Sequence, residues 1–127
     1  MKKKNTGFYI ILAILVVLGL GFLIYPSVKP GPTNLGPFAS CLKDKGVAFY
    51  GAFWCPHCAA QKKLFGNAVD LLPYVECSNP DESQTQICID KGIQSYPTWV
   101  FPDGSRNTGE TSLQTLADKS GCTLPAQ

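Results

Sequence analysis

The sequence predicts a mixed α/β domain, a central four-stranded sheet flanked by helices, carried behind one N-terminal transmembrane helix. Three observations predict it. Short apolar segments at residues 47–53 and 74–77 enclose a helical stretch that opens at Pro56 and is stopped by Pro73, a strand-helix-strand unit whose strands run parallel. A third strand at 98–101 enters the turn Pro102-Asp103-Gly104-Ser105, which folds the chain back as a hairpin. Ahead of all this, residues 8–25 form an 18-residue run without a charge, directly after Lys2, Lys3 and Lys4.

At the N-terminus, a helix over that run reaches about 27 Å at 1.5 Å per residue, close to the ~30 Å of a hydrocarbon core. Phe8, Tyr9 and Tyr25 then sit near the interfaces, and the lysines stay in the cytosol. The rest of the chain is expected on the periplasmic or extracellular side of the cytoplasmic (inner) membrane, after a single pass. A cleaved signal peptide shares the basic start and apolar core; the longer run, with no small-x-small site after Tyr25, favours a retained anchor. Six cysteines in a small exported chain fit an oxidising compartment. Residues 26–127 carry eight Lys/Arg and nine Asp/Glu, a formal charge of −1. No basic patch offers itself to nucleic acid.

Residues 1–25 are thus the basic tip and anchor, 26–36 a stiff tether rich in proline and glycine, and 37–127 the folded domain. Within that domain a short helix is expected from Pro37 to Lys45, with Phe38, Cys41 and Leu42 as its apolar stripe and Gly46 as its stop. Residues 47–53 are short, apolar and rich in aromatic residues, as a strand buried on both faces would be. The helix from Pro56 is expected to reach about Leu72, with a break at Gly66-Asn67 possible and with Ala59, Leu64, Phe65, Val69 and Leu72 facing in. After the strand at 74–77 come a polar turn and a short helix at 84–91, closed by Gly92 and presenting Ile87 and Cys88 inward. Beyond the hairpin, Thr111-x-x-Gln114 reads as a capping box for a last helix over 112–120, ended by Gly121.

The chemistry concentrates in Phe53-Trp54-Cys55-Pro56-His57-Cys58, at the point where a strand ends and a helix begins. Unpaired N–H groups and the positive end of a helix dipole favour a thiolate there. Pro56 suits the first helical position, and a charged His57 would add to the stabilisation of Cys55. Cys55 is expected to be the exposed attacking cysteine, and Cys58, one turn further in, the one that resolves a mixed disulfide. A zinc site would need a second close Cys/His pair, whereas Cys41, Cys77, Cys88 and Cys122 are scattered. Haem attachment would need a histidine where Ala59 stands. No metal or organic cofactor is implied.

The order of elements, with Trp54-Cys55-x-x-Cys58 and Tyr96-Pro97-Thr98, resembles the thioredoxin fold over residues 37–122. That resemblance implies a cis peptide at Tyr96-Pro97, lying against the cysteine pair, with the Tyr96 backbone offered to substrate. Residues 49–58, 64–66, 72–77 and 92–99 are more closely similar to the thioredoxin-like domain fused to bacterial and plant vitamin K epoxide reductase homologues. The family oxidises exported thiols and passes electrons to a membrane quinone. This implies a thiol-disulfide oxidoreductase acting on exported protein thiols and re-oxidised by a separate quinone-linked membrane reductase of that type or by another quinone-linked oxidase; the chain itself is expected to be a monomer. Reducing thioredoxins carry a buried acid where this chain has Phe49, a departure that weakens a reductase assignment. A reductant or isomerase, for instance in cytochrome maturation, and a non-catalytic binding module remain open.

The other four cysteines are paired by placement. Cys77 and Cys88 bracket the polar loop, and Cys41 and Cys122 lie near the two ends of the domain, so these two structural disulfides are expected among 15 possible pairings. Free buried thiols at Cys77 and Cys88 are the alternative.

Overall fold

The computed structural model describes residues 5–23 and 34–126, and the chain separates into two units, Met1–Gly31 and Pro32–Gln127. The first unit holds helix α1, Thr6–Leu23, 18 residues without a charge. Among the described residues no helix is long and apolar enough to cross a membrane. The expected span over 8–25 runs on into positions outside the described residues; the lysines at 2–4 and residues 26–33 of the tether expected over 26–36 lie there too.

The second unit is built on a four-stranded sheet of order β2-β1-β3-β4. Helix α2 (Gly36–Asp44) starts with Pro37 in its first turn and buries Phe38, Ala39 and Leu42. Gly46, at φ +77°, then turns the chain into β1 (Ala48–Gly51). Strand β2 (Tyr74–Glu76) pairs with β1 in parallel, Phe49 beside Tyr74 and Gly51 beside Glu76. Strand β3 (Thr98–Val100) runs antiparallel to β1, and β4 (Arg106–Thr108) antiparallel to β3. This mixed sheet flanked by helices fits a thioredoxin-like α/β fold.

Alternation along β1 sorts the core. Phe49 enters the larger cluster, stacked on Trp99 at 4.5 Å and set edge-on to Tyr74 at 5.1 Å. Tyr50 enters a smaller cluster with Cys77, Cys88 and Ile93 on the opposite face. Each large apolar side chain so buried contributes roughly 1.5–3 kcal/mol.

Several expected boundaries move. Strand β1 stops at Gly51 rather than Phe53, because the Cys55 amide turns back to the Ala52 carbonyl and leaves Phe53 59% exposed. The expected long helix is α3 (Pro56–Lys63) followed by a 3₁₀ segment, Gly66–Leu71, with Gly66 at φ +53° between them. Its inward stripe is Cys58, Gln61 and Phe65, spaced three and four apart, which puts Ala59 and Leu64 outside. Helix α4 (Gln86–Asp90) spans only five residues, and with Cys88 turned in, Ile87 faces solvent. Helix α5 (Leu113–Ser120) is capped by Ser112, whose hydroxyl accepts from the Thr115 amide, and not by Thr111. Gly121 ends it at φ +71°.

Candidate active site

Cys55 sits at the N-cap of α3 with extended backbone angles, and Pro56 occupies the first turn. Its sulfur accepts from the Cys58 amide at 3.4 Å and donates to the Tyr96 carbonyl at 3.7 Å. The Tyr96-Pro97 peptide is cis, and Pro97 is fully buried. Cys55 and Cys58 are both free thiols.

One expectation is corrected. Cys55 is only 6% exposed, against 1% for Cys58, because the Tyr96 carbonyl closes over its sulfur. Access is marked by the exposed rim around it. Phe53 stands in solvent, and so does Trp54 at 46% exposure. Trp54 is held there by a bond from its Nε1 to the Ser78 hydroxyl at 2.8 Å and by an edge contact with Tyr96. The Tyr96 hydroxyl in turn accepts from the Gln84 amide at 2.9 Å.

His57 points along the surface, its Nδ1 2.7 Å from a Glu110 carboxylate oxygen. Glu110 follows β4, and nothing in the sequence ties it to His57 before the hairpin folds back.

Cys58 lies deeper. Burial first, and then its hydrogen bond with Cys55, raises its thiol far above the ordinary range; an amide at Ala52 and the charge of Lys62 oppose this without winning. The Cys58 sulfur therefore carries its proton at neutral pH. Beside it, Gln61 is fully buried and clasps the Thr111 backbone twice, donating to its carbonyl at 3.0 Å and accepting from its amide at 2.6 Å. Tyr74, Glu76 and Gln61 were not anticipated as site residues. The signal for Glu76 was present: a parallel β2 ends level with β1, so its last residue abuts the cysteine loop.

Away from this cluster, Cys41 is bonded to Cys122 and Cys77 to Cys88. Among the described residues no group of three or more His, Cys, Asp or Glu is arranged to hold a metal ion.

No protein-family model matches the chain. It is 36% identical over 148 residues to the thiol-disulfide oxidoreductase LTO1 of Arabidopsis thaliana, a match that takes in 96% of this chain. The chain spans 39% of the length of that curated relative. With the mixed sheet, this similarity supports a thioredoxin-like redox domain.

Proposed function

We propose that this chain is a membrane-anchored thiol-disulfide oxidoreductase that exchanges the Cys55-Cys58 disulfide with thiols of exported proteins. The observation that carries the proposal is the free cysteine pair at the head of α3, its outer sulfur facing the carbonyl of a cis Tyr96-Pro97 bond. In the oxidising direction a substrate thiolate attacks Cys55, and Cys58 leaves with the bonding electron pair. A second substrate thiolate then displaces Cys55, so the substrate gains a disulfide and the pair is left reduced. The Cys58 amide is a donor to the Cys55 sulfur, so charge formed there meets a hydrogen bond. Trp54 and Tyr96 line the approach, Pro97 shapes it, and His57, paired with Glu110, sets the charge beside Cys55.

The anchor is supported by the charge-free run at 8–25 behind three lysines. Two structural disulfides suit the periplasmic or extracellular side of the membrane. Re-oxidation is assigned to a quinone-linked membrane reductase of the vitamin K epoxide reductase type.

The test is the reduction potential of the Cys55-Cys58 pair in the full chain, by equilibration with glutathione and trapping of those two thiols. A value between about −120 and −200 mV is expected. One near about −270 mV would place the chain with reductants and end the oxidase assignment. Cys55→Ser should abolish exchange; a wild-type chain inert to dithiols would instead be a binding module.

A further inference from the structure

Resolution requires Cys58 to lose a proton, yet no acid stands at Phe49, which is fully buried and stacked on Trp99. Tyr74 lies beside the sulfur instead. A methyl group placed on Gly51 would sit 2.8 Å from Tyr74 Cε2, 3.0 Å from Cys58 Sγ and 3.3 Å from the Tyr74 hydroxyl oxygen, too close to fit, so the sulfur and the hydroxyl both pack against the Gly51 backbone. The Tyr74 hydroxyl donates to Glu76 Oε2 at 2.8 Å. Glu76 Oε1 accepts from the amides of Phe53 at 3.1 Å and Ser78 at 2.9 Å, which fixes the carboxylate at the edge of the cysteine loop. Lys62 Nζ lies 3.4 Å from the centre of the Tyr74 ring and favours the Cys58 anion.

We propose that Tyr74 and Glu76 form the proton relay of Cys58, in place of an acid on β1. Tyr74 passes its hydroxyl proton to Glu76 and takes the thiol proton past Gly51, directly or through one water. The Cys58 thiolate then attacks the Cys55 sulfur of a mixed disulfide. The Cys55-Cys58 bond forms, the bond from Cys55 to the partner breaks, and the partner sulfur leaves as a thiolate with the electron pair. The cysteine pair is oxidised, the partner is reduced, and the proton on Glu76 passes to the expelled thiolate or to solvent. In the opposite direction the same path reprotonates Cys58 as it leaves. Burial first, and then the bond to Glu76, keep the Tyr74 hydroxyl protonated, so it conducts a proton and does not serve as an anion. The titratable groups facing Cys58 are Cys55, Lys62, Tyr74 and, through Tyr74, Glu76; of these Glu76 is the proton acceptor.

The relay rests on the exchange chemistry proposed above, and one experiment separates the two. The reduced full chain is mixed with oxidised glutathione across a range of pH, quenched with acid and weighed by mass spectrometry. Wild type forms a glutathione adduct at Cys55 and resolves it quickly. Tyr74→Phe keeps the ring under Lys62, and Glu76→Gln keeps an oxygen for the Phe53 and Ser78 amides. In both, adduct formation should match wild type, while resolution at pH 7 slows by about 100-fold, the low end for a lost general base. The defect should shrink as pH rises and hydroxide replaces the relay. Wild-type resolution in both variants at pH 7, or slowing by the same factor at every pH, would overturn the relay and leave the exchange chemistry standing. No adduct at Cys55 in wild type would remove both.

Discussion

Gln61 shows how much one side chain settles in this domain. Its amide replaces a strand partner for Thr111, filling both hydrogen-bonding positions of that buried backbone group. Gln61→Ala strands both, at about 1–3 kcal/mol for each buried group left unsatisfied, and should lower the urea midpoint with the slope unchanged. Gly51 is constrained by closeness and not by backbone angle: an added methyl would meet Tyr74 Cε2 at 2.8 Å and the Cys58 sulfur at 3.0 Å. Gly51→Ala should therefore destabilise by about 1–3 kcal/mol, as overpacking does, in the same urea titration. Neither effect is legible in the sequence. A glutamine reads as a surface residue, and a glycine near the end of a strand reads as punctuation, until the fold brings residue 111 onto α3 and residue 74 beside β1.

At the scale of the element, helix α5 depends on the residue that caps it. Ser112 accepts from the Thr115 amide at 3.1 Å, and Ser112→Ala should cost about 1 kcal/mol, seen as faster amide exchange in the first turn. The capping pattern starting at Thr111 is a plausible sequence signal one residue out of place, since Thr111 is buried and its amide is taken by Gln61. Two loops carry a pH dependence. Asp81 is held below its usual range by Ser83, through the hydroxyl first and then the amide, and Asp103 likewise by Ser105. A carboxylate whose folded value is depressed stabilises its loop above the unfolded value and loses that contribution as pH falls through the folded one. The Ser83 and Ser105 amide resonances should therefore hold steady from neutral pH down to the ordinary aspartate range and shift only below it. A shift centred on the ordinary aspartate value would show that these bonds do not form in solution.

For the whole molecule the disulfides act on chain entropy. Cys41-Cys122 closes a separation of 81 residues and Cys77-Cys88 one of 11. In the loop-closure model these contribute about 4.5 and about 2.8 kcal/mol. Paired serine substitutions compared by urea denaturation should lose more stability at the first than at the second, and the reverse order would mean native packing outweighs loop length here. The sequence by itself determined the order of strands and helices, their stops at glycine and proline, and the cysteine pair at a strand-to-helix junction. Those are local properties, written in hydrophobic period, backbone permissiveness and residues adjacent in the chain. Only the tertiary structure decided that Tyr96 would close over Cys55, that Gln61 would turn inward, that His57 would meet Glu110, and that Tyr74 and Glu76 would stand beside Cys58. Each joins residues 16 to 53 positions apart, because which groups share a buried, weakly screened space is set by strand register and helix packing, not by neighbours in sequence.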